Sequence, residues 1–305
     1  MFFTGYTLTT ILGALIIFAG LLILNELTRK NKMLSIIIYI VFPIIMTLFV
    51  WPRLAAGGRE LTWFAWIKTY SALAGVLIFM AIRFNEKLAK KKWMLFLPAA
   101  ILIINIIEAI IAEFECAGMD GQVVSGLVMQ GGIWSYLNAF AGIILILTMT
   151  GTFGIRVANT KSKDMVWADM GWPWIIAYDL WNISYCYNCI SNRSFYAGFL
   201  LIASCTFAEF VFKRGAWLQH RAQTLALFAM FSLTVDYANL PLFQITSTQS
   251  DLPKTLLAAA ALIANLAVMV YEIKKIKETG RNPIREDIYV DTKFYQKNLK
   301  ANNLL

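Results

Sequence analysis

Nine apolar stretches run through this chain, at 7–26, 34–51, 62–82, 93–114, 134–155, 173–190, 195–212, 217–243 and 255–273. Each approaches or exceeds the roughly 18–22 residues that carry a helix across a bilayer. No other feature constrains the fold as strongly. In lipid every backbone N–H and C=O must be satisfied within the segment, so runs like these fold as helices. Composition agrees: 59% of residues are hydrophobic and only 15% charged, with a mean hydropathy of +0.63. A soluble domain carries about 25% charged residues. The expected fold is all-α, a polytopic transmembrane helix bundle of about nine spans.

The formal charge of +9 would suit a nucleic-acid binder, but the basic residues lie between the apolar runs. They read as topology signals instead. With alternating spans, 22 Lys and Arg fall on one side. Only Arg53, Arg59, Arg193 and Lys254 fall on the other. The positive-inside rule then places the N-terminus outside and the C-terminus inside, in a cell inner membrane. The first stretch has its positive charges after the apolar run, so it reads as a retained helix rather than a cleaved signal. The expected division is a bundle over 1–274 and a basic cytoplasmic tail over 275–305, anchoring the topology or lying on anionic lipid. The segment 115–133, "ECAGMDGQVVSGLVMQGGI", has no Lys or Arg and five Gly. Its length suits either a surface loop or a lid that dips into the protein.

Ionisable groups at membrane depth cost at least about 2.5–3.5 kcal/mol, so they face a bundle interior or a wet cavity. Lys68 lies in the third stretch, about 10 Å deep by helical rise. Glu108 in the fourth, Asn138 in the fifth, and Asp236 and Asn239 in the eighth fall in the same depth band. An acid beside Lys68 would keep both charged. Asp179, Glu209, His220 and Arg221 lie near the other surface and read as interfacial. The sixth stretch holds "YDLWNISYCYN". At helical spacing Tyr178, Asn182, Tyr185 and Cys189 share one stripe, and Trp181, Tyr185 and Asn188 its neighbour. Polar groups wrap most of this helix, so it belongs at the bundle centre. There its amides and aromatic faces suit a small polar or aromatic solute.

Pro241 is expected to kink the long eighth helix. Pro173 reads as an N1 proline. The small residues 71–75 and 258–261 read as close helix contacts. Four Cys and one His give no disulfide framework and no metal set, and the thiols read as free. No Walker loop, dinucleotide-binding glycine pattern, zinc-protease motif or G-x-S-x-G occurs. No cofactor and no nucleic acid is implied.

The segments "LNELTRKNK", "FVWPRLAAGG" and "WFAWIKTYSALAGVLIFMAIRF" resemble a family of bacterial multi-span membrane proteins with no assigned activity. The resemblance covers mainly the first three stretches. It implies a bacterial membrane protein and transfers no catalytic residue. From the residues themselves, the expected function is a transporter or solute-binding protein, open to proton coupling through one acid. A membrane receptor or an intramembrane lipid-modifying enzyme is the alternative. The expected partners are a small solute and the bilayer.

Overall fold

Helices start where the chain supplies caps. Thr7 accepts from the backbone N–H of Thr10, and Thr10 returns the bond to Thr7, opening α1 (Leu8–Lys30). Asn31 closes α1 and caps its successor by accepting from the Leu34 N–H. The long helices that follow are α2 (Lys32–Ala56), α3 (Trp63–Phe84), α4 (Lys92–Cys116), α5 (Ile133–Leu147), α6 (Trp172–Cys189), α7 (Phe195–Phe212), α8 (Trp217–Thr234) and α9 (Asp251–Thr279). A short α10 (Lys293–Lys300) ends the series. This computed structural model describes residues 1–57, 61, 63–124 and 126–305. Arg59, counted among the outer charges, and residue 62 lie outside the described residues.

Among the described residues, six helices are long and apolar enough to cross a membrane: α1, α2, α3, α4, α7 and α9. Their outward faces expose large apolar side chains such as Ile16, Leu48, Ile104 and Ile263. In water such continuous apolar surface would drive association; against acyl chains it is stable. The helix α5 has only 15 residues. The 18-residue helices α6 and α8 are not among the six because polar side chains run along them, and most of those side chains are buried.

Two expected boundaries are corrected. The fifth stretch leaves the helix at Leu147, not residue 155. Thr148 folds its hydroxyl back onto the carbonyls of Ile144 and Leu145, and Gly151 then turns the chain with φ of +59°. The eighth stops at Thr234. Pro241 does not kink a helix there: Leu240 before it is extended, and two 3-10 turns, Tyr237–Asn239 and Pro241–Phe243, follow the helix end. Three short antiparallel pairs add to the all-α expectation. Phe3–Thr4 pairs with Thr246–Ser247, Asp120–Val124 with Leu127–Gln130, and Arg156–Val157 with Met165–Val166.

The 115–133 segment is therefore a hairpin, and it is tied down. Asn192 donates to Gly126 O and accepts from Val128 N–H, Ser191 donates to Val128 O, and Gln130 donates to Ser247. Gly131 is required by close approach, since a Cβ there would lie 1.6 Å from the Cys116 carbonyl oxygen. Lys254, almost wholly buried, reaches Asp251 at 3.0 Å and the hairpin's Asp120 at 3.6 Å, over the Trp134 ring.

At the opposite end the basic loops converge on one acid. Asp164 accepts from Arg29 at 2.8 Å, Ser162 at 2.6 Å and Gln219 at 2.9 Å. Arg83 donates to the carbonyls of Arg29, Ser162 and Lys163. The tail is folded against this end as well. The helix α9 passes through residue 274 to Thr279, and Gly280 turns the chain. Ile288, Tyr289, Tyr295 and Leu299 then bury against Ala158, Val166 and Ala168. Asp169 accepts from Thr150 and from the Tyr289 N–H, and burial pushes its carboxyl up to about 6.

Two large apolar cores fill the bundle. One joins α4, α5, α6 and α9; the other joins α1, α2, α3, α7 and α8. The sixth helix carries side chains into both, so it stands at their seam.

Candidate functional site

A cavity of about 190 Å³ opens at that seam, walled by α3, α4, α6, α7 and α8 and reached by Leu127 of the hairpin. It exists because facing positions are small. Ala72 and Gly75 on α3, Ala109 on α4, Ala197 on α7, and Ala222 and Ala229 on α8 all border it. Ser71, Ala72 and Gly75 of "SALAG" thus line open space, whereas Ala258 and Ala261 on α9 are fully buried in helix packing.

The α6 wall is an aromatic ladder with amide and thiol rungs. Trp174 stacks on Tyr178 with centroids 5.5 Å apart, Tyr178 meets Trp181 at 5.5 Å, and Trp181 stacks on Tyr185 at 6.3 Å and 14°. Trp181 is held by donating its indole N–H to Asn138 O, and Trp217 packs edge-on to Tyr178. Tyr178, Trp181, Asn182 and Tyr185, drawn from the two adjacent stripes, all face the cavity, whereas Cys189 and Asn188 of those stripes do not. So does Lys68 on α3, whose ammonium lies 3.1 Å from Glu108 of α4. The pair is part-exposed, at 26% and 36%.

Other residues expected at the site have different work. Asn138 and Asn188 are fully buried behind the ladder and donate to Glu113 at 2.7 Å and 3.1 Å. Glu113 is itself fully buried, so this trio bonds α4, α5 and α6 together. Asp236 and Asn239 bond one another in the exposed segment after α8, and neither borders the cavity, although Tyr237 between them does. They lie beyond the helix end because α8 is nine residues shorter than its apolar run, ending at Thr234 rather than 243.

The interfacial set is also relocated. Glu209 accepts from the N–H groups of Gly215 and Ala216 and so caps the start of α8. His220 pairs with Asn25 at 2.8 Å. Asp179 is buried and accepts from Thr206. Arg221, though near the helix start, borders the cavity, as does Arg193. Both read in the sequence as surface charges. The signal that would have found Arg221 is its stripe: with Leu218, Leu225, Phe228 and Ser232 it repeats every three or four residues into the middle of α8.

Among the described residues no group of three or more His, Cys, Asp or Glu could hold a metal ion. The four cysteines are buried free thiols, with Cys186 on the cavity wall. No curated protein and no solved structure matches the chain. A family model does match residues 5–301, nearly its full length, and the chain belongs to that family, a family of unknown function (DUF5692).

Proposed function

We propose that this chain is an integral membrane transporter or solute-binding protein for a small polar or aromatic solute, seated in the cell inner membrane of a bacterium. Nine helices would cross the membrane, with the N-terminus outside and the C-terminus inside. The loops rich in Lys and Arg meet at the Asp164 end, and the hairpin and first strand meet at the other. That segregation supports the orientation.

The observation that carries the reading is the cavity at the seam of two cores, where a part-buried Lys68, paired behind it with Glu108, faces an aromatic and amide ladder. A cavity of about 150 Å³ accepts a benzene-sized guest, so this one holds a solute of about one ring with polar substituents. Stacking on Tyr178 or Trp181 and hydrogen bonding to Asn182 would orient it. Proton coupling would fall to Glu108, the acid paired with the cavity's lysine.

Purified protein in nanodiscs, screened by thermal unfolding against a panel of neutral, cationic and anionic ring-sized solutes, tests this. At least one solute should raise the unfolding temperature of the wild type. Lys68→Met should insert and purify equally well but bind that solute about tenfold or more weakly, the loss of one charge-assisted contact. An undiminished response would remove Lys68 from the site. No response to any solute in the wild type would contradict a binding cavity.

A further inference from the structure

The cavity wall is lopsided in charge. Among the described residues it carries Lys68, Arg193 and Arg221 and no carboxylate. Lys68 is balanced by Glu108. The two arginines are not balanced in the same way. Arg221 is 7% exposed; its Nε reaches the Tyr178 hydroxyl at 3.4 Å, and its Nη1 has no protein partner. Asp179, one residue from Tyr178, is held by Thr206 and lies near enough to feel the charge of Arg221, but the two form no direct ion pair within 4.0 Å. Arg193 rests its guanidinium over the Tyr237 ring at 6.0 Å, and its buried Nε also has no protein partner.

Burying a guanidinium without a directly bonded counter-charge is costly, because water's solvation is lost and only partly replaced. A chain that keeps a buried Arg221 and a part-buried Arg193 on one cavity wall, each with an open N–H, is built to receive a charge from outside. Guanidinium is also the side chain whose planar donors fit carboxylate and phosphate oxygens in pairs. The two sit toward opposite ends of α8, one in its second turn and one against Tyr237 beyond its last. The wall from Leu218 to Ser232 between them is about 21 Å long by helical rise.

We propose that the cavity binds a small organic anion. Its carboxylate or phosphate group takes the open N–H of Arg221 beside the Tyr178 hydroxyl, and its flat body lies on the Tyr178–Trp181–Tyr185 ladder. Arg193 is the second station, where the same anion sits near the hairpin end. This names the solute class for the binding role proposed above and rests on it.

The test uses full-length protein in nanodiscs and ring-sized probes of matched shape: benzoate and phenyl phosphate as anions, benzamide as the neutral form, benzylamine as the cation. Binding is read by thermal shift and by calorimetry. Benzoate or phenyl phosphate should bind about tenfold or more tightly than benzamide and benzylamine, and Arg221→Gln should abolish that preference. Arg221→Lys should retain part of it. Without ligand, Arg221→Gln should unfold at the same temperature as the wild type or higher, since it removes an unbalanced buried charge. Arg193→Gln should weaken anion binding while leaving benzamide unaffected.

If neutral or cationic probes bind and the anions do not, the anion assignment is overturned while the binding cavity stands. If no probe binds, both fail. A ligand-free Arg221→Gln protein that unfolds well below the wild type, with anion preference intact, would show Arg221 to be a structural residue and overturn its role.

Discussion

Replacing Asp164 by Ala is expected to lower the stability of the bundle by about 3–5 kcal/mol, the cost of breaking a buried ion pair by removing one partner. Asp164 is fully buried, and three elements meet on it: Arg29 from α1, Gln219 from α8 and Ser162 from its own loop. Arg83 of α3 stands 3.8 Å away and spends its donors on the carbonyls around the same acid. Without the carboxylate, two buried guanidinium groups face each other with only Glu26 left to balance Arg29. Asp164→Asn keeps the shape and an acceptor, and should fall between Ala and wild type.

Burial by itself would raise the Asp164 pKa. Arg29, the Ser162 hydroxyl and Arg83 outweigh it and hold the carboxyl below its usual value. With the folded pKa depressed, the stabilisation is fully present above the unfolded value near ~3.9 and is lost as pH falls through the folded pKa. Unfolding midpoints of wild type and Asp164→Asn should therefore converge toward strongly acidic pH. A difference under about 1 kcal/mol at neutral pH for the Ala variant would remove this network from the account.

The second large effect concerns Glu113. Asn138 and Asn188 donate to it from two other helices, and all three side chains are fully buried. Glu113→Ala leaves Asn188 without its acceptor and Asn138 with the Trp181 carbonyl alone, and opens a hole between α4, α5 and α6. The expected loss is about 2–4 kcal/mol, the cost of orphaned polar groups with the cavity added. Glu113→Gln keeps an acceptor oxygen and should lose less than half as much. Because this trio sits behind the ladder, neither change should alter which solutes the cavity prefers. Equal stability of Glu113→Ala and wild type would contradict the bonding role.

Helix positions were legible because the apolar runs and their caps are local signals. The central place of α6 was legible for the same reason: Tyr178, Asn182 and Tyr185 on one stripe have nowhere to go in lipid. Lys68 and Glu108 met because topology put them at one depth. Helix ends were less legible where apolar residues continue past the last helical turn. Phe243 and Ile245 are buried in the core without being helical, so the eighth run looked too long and carried Asp236 with it. Arg193 and Arg221 were hidden by their positions. An arginine near a helix end counts equally well as a topology signal and as a cavity wall, and only tertiary packing separates the two. Glu113 was hidden similarly: three residues before the end of α4 it carries no local sign of burial, and only the packing of α5 and α6 against it encloses it.

The central claim is that the seam between the two cores is a wet, charged cavity rather than packed interior. Its most direct measurement is thiol labelling in a background with all four native cysteines changed to Ala, since Cys186 itself borders the cavity and the other three are free thiols as well. Single cysteines at Ser71 and Ala222 report on the cavity; Ala139 in the core and Ile104 on the apolar surface are controls. A small anionic methanethiosulfonate should label the cavity positions about tenfold or more faster than the controls, because reaction needs a thiolate in contact with water. Labelling at Ser71 and Ala222 no faster than at Ala139 would mean the seam is dry, and the account would fail.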